Sequence, residues 1–479
     1  MQPPARQIPP APAHPAAPVP APVSKSAAIF QQGSHEVDPH TGSSPPARDG
    51  RRGARAWASV AVLSRRLSDL TSLHGIVASG PCRKLATGSV IAPLAVLSAG
   101  SALALGLAEA SGLQVDFDIY RMGAGHLFGS QLYAIRLSRA LMGGSVGMHF
   151  TYPPFAAFLL VPFAMLPVRL GQLVWSVLNL GALFGLTAVS VHAVKPGWSR
   201  ATASTLAALT LLPVLRLNPD LLTVDLGQIN FVVVLLVFTD LTTVLHVGNR
   251  VIPRGVLVGV AAAVKLTPLL FVPFLLLARQ SRPAFTALGS FLLCTLTAFV
   301  VAPYSSRAYW SEEIFDYGRY GNLLYLSDQN LHSAAERMLG GPPGPLLISS
   351  LTVVAACGGL GLAAWAYRAS SPVLGILLCA TTALIISPVS WVHHYVWVVP
   401  VLAWLLFGDD RPNGGRWWAL GAAALFWAAP VWWPSDVQSG YGGPLVLLTG
   451  NSFFLAASAF LVLTAVLLIF RHRSRPRPA

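Results

Sequence analysis

The sequence predicts an all-α, polytopic membrane protein of about 12 transmembrane helices, and three observations predict it. Only 10% of the 479 residues are charged while 54% are apolar, whereas soluble domains run near a quarter charged. The mean hydropathy is +0.60. Apolar runs long enough to span a bilayer alternate with short segments in which Lys and Arg collect, as cytoplasmic loops do. The 32 basic against 18 acidic residues, a net charge of +14, therefore point to membrane orientation and not to a nucleic-acid partner. Cys82, Cys294, Cys357 and Cys379 are scattered, with no CxxC pair, disulfide framework or zinc spacing.

In chain order, residues 1–56 are expected to form a disordered cytoplasmic tail, because its Pro- and Ala-rich start has no apolar core of the kind a signal peptide needs. A basic juxtamembrane segment follows at 57–87, carrying Arg65, Arg66, Arg83 and Lys84, so this end is placed inside. The membrane domain covers 88–470, and 471–479 is a basic cytoplasmic tail. Letting the basic clusters fall inside puts spans at 88–109, 170–193, 201–217, 228–246, 252–264, 266–280, 284–303, 345–367, 371–389, 393–408, 415–433 and 445–470. The run Pro153–Pro167 is too short to cross comfortably and reads as a re-entrant or interfacial helix. The stretch 252–280 holds two short helices broken at KLTP, and broken membrane helices survive beside protein or a water-filled cavity, which predicts a cavity near Lys265.

This topology collects the polar segments that are not simply basic on the extracytoplasmic side: Ala110–Tyr152, Asn218–Asn230, Pro303–Pro343, Ser387–Tyr395 and Trp432–Gly443. No soluble domain is large enough for an active site, so chemistry is expected at the outer membrane–water boundary. Asp116 and Asp118 follow the first span closely, where a partly desolvated carboxylate suits a general base; a solvated loop acid or a helix N-cap is the alternative reading. His393 and His394 point about 100° apart if helical, too divergent to share one metal, but one of them can donate to a phosphate oxygen or anchor a helix end. Lys265 is an ion inside an apolar run, a functional candidate by position or a snorkelling side chain. Gln228 and Asn230 could hydrogen-bond a sugar or cap a helix, and the loop Tyr317–Met338 offers Arg319, Gln329 and Asn330 among aromatic residues. Glu312 and Glu313 read as a solvated pair. No P-loop, HExxH or Ser-His-Asp order is recognisable.

Five strings in one order carry a resemblance: Asp116-Phe117-Asp118-Ile119-Tyr120, Thr151-Tyr152-Pro153-Pro154, Gly227-Gln228-Ile229-Asn230, Lys265-Leu266-Thr267-Pro268, and Ser387 to His394. Together, over about Gly88 to Ile469, the chain resembles the polyprenol-phosphate-mannose-dependent mannosyltransferases of glycosyltransferase family 87, within the membrane GT-C superfold. One departure is that the family's NQSL loop reads Asp328-Gln329-Asn330-Leu331 here. The resemblance implies an enzyme transferring mannose from a polyprenyl-phosphate donor to an outer-leaflet mannolipid by single displacement with inversion. It implies Asp116 as base, with Asp118 as alternative; His393 or His394, Lys265 and Arg319 on the donor phosphate; Tyr120, Gln228, Asn230, Gln329 and Asn330 on sugar or acceptor; and neither metal nor cofactor. The partners implied are the lipid-linked donor, a glycolipid acceptor and membrane lipids, at the plasma membrane. The alternatives are an arabinofuranosyltransferase using a decaprenyl-phosphate donor and, from another class, a transporter or lipid flippase, which would lead one to expect an internal repeat that the chain does not show.

Overall fold

The computed structural model describes residues 81–110, 114–141, 144–320, 325–369, 371–434 and 443–473. The expected 1–56 tail and nearly all of the juxtamembrane segment lie outside them. Five helices are long and apolar enough to cross a bilayer: Ile91–Ala108 within Pro81–Ala110, Val168–Val194, Ser281–Val301, Pro345–Arg368 and Ser452–Arg473. Each matches one of the expected spans. Their outward faces carry large apolar side chains, among them Val300 at 83% and Leu346 at 82% exposure, a surface that lipid, not water, accommodates. Several hydroxyls within the helices satisfy themselves locally: those of Thr187, Ser190, Thr381 and Thr382 each donate to the carbonyl four residues back.

The remaining apolar helices are short. Pro154–Ala164, Asn230–Thr242, Thr267–Leu277, Pro372–Ile386 and Val392–Phe407 have 10–17 residues each, so none spans a core about 30 Å thick at 1.5 Å per residue. The helix Pro154–Ala164 is the short element expected between Pro153 and Pro167. Val256–Val264 ends at Lys265, whose backbone is extended, and Pro268 starts the next, tighter turn, so the chain breaks where KLTP predicts. The Asp240 carboxylate accepts from Gly255 N and Val258 N, both at 2.9 Å, and caps Val256–Val264.

Three features differ from the sequence reading. The fold is mostly helical but not all-α: antiparallel hairpins join Arg136–Leu141 to Gly144–His149 and His246–Val247 to Arg250–Val251. Neither shows the strict alternation that marks a strand in sequence. The polar segment after the third expected span, given no secondary structure by the sequence, begins with a helix, Asn218–Asp225, with Pro219 in its first turn, bent 82° from Arg200–Leu215. The last expected span is two helices, Pro444–Gly450 and Ser452–Arg473, interrupted at Asn451.

Candidate active site

A cavity of about 450 Å³ opens between the helix Val115–Gly125, the segment 149–153, the break at Lys265 and the stretch Ser387–His394. Asp116, Tyr120, Tyr152, Gln228, Lys265 and His394 are among its polar lining; Leu266, Leu270, Ile314 and Ile386 are among its apolar lining.

Backbone contacts bring Asp116 to Gln228. The amides of Asp116 and Phe117, in the first turn of their helix, reach the carbonyl of Leu226 at 3.0 and 3.4 Å. The next residue, Gly227, has φ 70°, and a Cβ there would sit 2.7 Å from Phe117 Cβ, so only glycine lets this turn close on that helix. Trp175 Nε1 donates to the Gly227 carbonyl at 2.8 Å, tying the turn to Val168–Val194. Gln228 Nε2 then donates to Asp116 Oδ2 at 2.6 Å, and the Tyr120 and Tyr152 hydroxyls lie 2.8 and 3.0 Å from Gln228 Oε1. A carboxylate only accepts, so the amide N–H faces Asp116 and Oε1 faces the two hydroxyls, which also lie 2.9 Å from each other.

Across the cavity, Lys265 Nζ donates to Asn230 Oδ1 at 2.8 Å and lies 3.0 Å from His394 Nε2. An ammonium only donates, so His394 carries its proton on Nδ1. Nζ also stands 5.6 Å from the centre of the Tyr152 ring. Burial pushes the Asp116 carboxyl up to about 6 from its usual 3.8, against the opposing effects of the Gln228 amide and the Lys265 charge. The site thus pairs a proton acceptor of raised basicity with a cation fixed by two side chains. Among the described residues, no three His, Cys, Asp or Glu side chains converge as metal ligands.

The structure separates residues that the sequence left together. Asp118 is turned from the cavity and takes a contact from Gln172 Nε2 at 3.4 Å, because two residues along a helix is more than half a turn. The histidines sit in a 3₁₀ segment, Val392–Trp397, with rings edge-on at 4.8 Å. His394 lines the cavity; His393 is buried, and its carbonyl accepts from Asn230 Nδ2 at 2.8 Å. Asn230 therefore holds Lys265 from behind and does not line the main cavity.

Three more of the expected ligand-binding residues, besides His393 and Asn230, lie outside the main cavity. Arg319 pairs with Glu313, donates to the Tyr133 carbonyl and covers the Tyr133 ring at 5.8 Å, so the guanidinium is engaged away from the cavity it was expected to serve and Glu313 is not solvated as read. Gln329 is fully buried: its Nε2 donates to the carbonyls of Leu326 and Gly450, and its Oε1 accepts from Phe453 N and Phe454 N, capping Ser452–Arg473. Asn330 caps Leu331–Leu339 through Ser333 N and donates to the Pro388 carbonyl. Both amides serve orphan backbone groups at helix breaks, which no local string reveals.

Asp328, where the resemblance expects an amide, is buried and accepts from Ser390 N at 2.7 Å and Ser333 Oγ at 2.9 Å. Burial raises its carboxyl to about 6 despite those bonds and the nearby Arg337 charge. With Gln329 N to the Ser390 carbonyl and Val392 N to the Ser327 carbonyl, both 2.8 Å, it stitches this loop to the stretch whose Pro388, Val389 and Trp391 line the cavity. Sequence reasoning missed His149 and Trp391 as lining residues and gave Tyr152 no role. Tyr152 was visible in the TYPP string, whereas a lone His in a polar loop carries no signal.

The fold and site define a membrane protein with a mixed polar and apolar cavity that holds a candidate proton acceptor beside a candidate anion-binding cation. A sequence model of Glycosyltransferase family 87 matches residues 150–388, a region that includes Tyr152, Gln228 and Lys265 and stops short of Asp116 and His394. A polyprenol-phosphate-mannose-dependent alpha-(1-2)-phosphatidylinositol mannoside mannosyltransferase of Mycobacterium tuberculosis (strain ATCC 25618 / H37Rv) is 35% identical over 325 residues, 63% of this chain and 72% of that protein. The protein of the same description from Mycolicibacterium smegmatis is 33% identical over 67% of this chain and 76% of its own. A related phosphatidylinositol pentamannoside mannosyltransferase of M. tuberculosis (strain CDC 1551 / Oshkosh) is 31% identical over 78% of this chain and 84% of its own. No solved structure matches the chain. The chain belongs to glycosyltransferase family 87 and is a membrane glycosyltransferase.

Proposed function

We propose that this protein transfers mannose from polyprenyl-phosphate mannose to a hydroxyl of a phosphatidylinositol mannoside or lipomannan-type acceptor, forming an alpha-(1-2) link with inversion. The observation that carries the reading is the placement of Asp116 and Lys265 in the polar part of one cavity with an apolar lining. The names of the relatives support the donor and the acceptor class.

In the proposed step, Asp116 takes the proton of the acceptor hydroxyl while that oxygen forms a bond to the anomeric carbon. The bond from that carbon to the phosphate oxygen breaks, and its electron pair leaves on polyprenyl phosphate. Lys265, held by Asn230 and His394, offsets the charge that develops there. One carboxylate and one cation suffice, so the step is proposed to need no metal or cofactor. Gathering both lipid-anchored reactants at one site removes much of the entropic part of the barrier. The apolar lining at Leu266, Leu270 and Ile386 would receive the first isoprenoid carbons of the donor.

The proposed setting is a multi-pass GT-C arrangement in the plasma membrane, with both termini cytoplasmic and the cavity on the extracytoplasmic face. The test is transfer by purified protein in nanodiscs, supplied with either polyprenyl-phosphate mannose or decaprenyl-phosphate arabinose and a mannolipid acceptor. Mannose transfer is the expected result. Transfer of arabinose alone would replace the donor assignment, and silence with both donors in folded protein would refute the reading.

A further inference from the structure

We infer that Gln228 is a positioning residue: clamped by the hydroxyls of Tyr120 and Tyr152, it commits Oδ2 of Asp116 to its amide and leaves Oδ1 as the oxygen presented to the acceptor hydroxyl. This rests on the proposed role of Asp116 as the base and assigns Gln228 and Tyr120 a task other than gripping sugar.

The geometry has three parts. First, the Gln228 amide meets Asp116 Oδ2 at 2.6 Å, and no other side chain is bonded to that carboxylate among the described residues. Second, the far end of the amide is occupied twice, by hydroxyls at 2.8 and 3.0 Å. Turning the amide over would set Oε1 against the ionised carboxylate, whereas the present orientation gives Oε1 hydroxyl donors, so the donor end faces Asp116. Third, the clamp cannot drift. The Tyr120 and Tyr152 rings meet edge-on at 5.1 Å, Tyr120 packs on Trp175 at 6.2 Å, and Trp175 in turn holds the Gly227 carbonyl. The backbone before Gln228 is closed on the helix of Asp116 through Leu226.

The charged and titratable groups facing Asp116 are Lys265 from the helix break, Tyr120 from its own helix and Tyr152 from the segment after the hairpin; His394 and His149 line the same cavity. Asp118, on the same helix, is engaged with Gln172. Of these, the clamp is what sets the polarity of the hydrogen bond on Oδ2. An amide N–H there favours the ionised carboxylate, so loosening the clamp makes the base harder to ionise and moves the acid limb of the rate profile to higher pH.

The test is the pH dependence of kcat/KM for mannosyl transfer in nanodiscs, with polyprenyl-phosphate mannose and a mannolipid acceptor. For Gln228→Leu, and for Tyr120→Phe combined with Tyr152→Phe, the acid limb is expected to rise by about one pH unit, the size of one charge-assisted hydrogen bond. Gln228→Glu sets a second carboxylate against the first and is expected to raise it by about two. In all three, transfer recovers as pH rises, which a misfolded or merely loosened site would not do. If the double variant fails to fold, Tyr152→Phe alone should move the limb in the same direction by less. Unmoved acid limbs, with Asp116→Asn inactive, would overturn the clamp and leave the base standing; wild-type transfer by Asp116→Asn would remove the base itself and the clamp with it.

Discussion

Asp116→Asn isolates the proton-accepting function from the shape of the site. Asn has nearly the volume of Asp, and its side-chain oxygen can still accept from Gln228 Nε2, which now lies 2.6 Å from Oδ2. What disappears is the capacity to hold a proton. The carboxyl is pushed up from 3.8 to about 6, chiefly by burial; about two pH units at 1.36 kcal/mol each is ~3 kcal/mol of added preference for the protonated form. That preference is what makes the ion a stronger base than a solvated carboxylate. Because the base must be ionised before the acceptor arrives, kcat/KM should be flat above about pH 6 and fall tenfold for each unit below it. The substitution should lower transfer by about 10²- to 10⁴-fold, and the residual rate should lose the acid limb. Initial rates of labelled mannose transfer, measured in nanodiscs across that range, check both outcomes. An acid limb near 4, or a pH-dependent wild-type rate in Asp116→Asn, would refute the reasoning and return Asp118 to consideration.

His394→Ala should lower transfer about 10- to 100-fold, since His394 faces the cavity and touches Lys265 Nζ, while His393→Ala, whose contact with Asn230 runs through its carbonyl, should lower it far less; equal or absent effects in the same assay would contradict the geometry. Lys265→Met should reduce kcat/KM for the lipid-phosphate donor by roughly 10²-fold or more and move the acid limb above about 6, because the same charge favours ionised Asp116; an unchanged profile would remove Lys265 from the site. Arg337→Ala should destabilise the protein by about 3–5 kcal/mol, seen as a lower midpoint of thermal unfolding in detergent, because it leaves buried Asp328 without its nearby cation and Asn451 without the Arg337 Nε donor. EDTA should leave transfer intact, and loss of turnover that a divalent cation restores would overturn the metal-free step.

How much of this was legible in the sequence follows from the range of the interactions. The spans, the short helix after Pro153 and the break at KLTP are written in local hydropathy and in prolines, so the five long helices fall where they were expected. Asp116, Lys265 and His394 were also legible as candidates, since an ion or imidazole in an apolar run is conspicuous. Their arrangement was not. Asp116 meets Gln228 across 112 residues and Lys265 meets His394 across 129, and choosing Asp116 over Asp118 required knowing which face of one helix the rest of the chain covers. The loop amides show the same limit in reverse: Gln329 and Asn330 have sugar-binding chemistry, but breaks at Asn451 and Pro388 claim their hydrogen bonds first. The sequence by itself determined a helical membrane protein of one glycosyltransferase family, because hydropathy and motif strings are properties of contiguous residues. Only the tertiary structure decided which polar groups face the cavity and which are consumed by the fold, because a buried donor or acceptor takes whatever partner the packing of distant segments brings within reach.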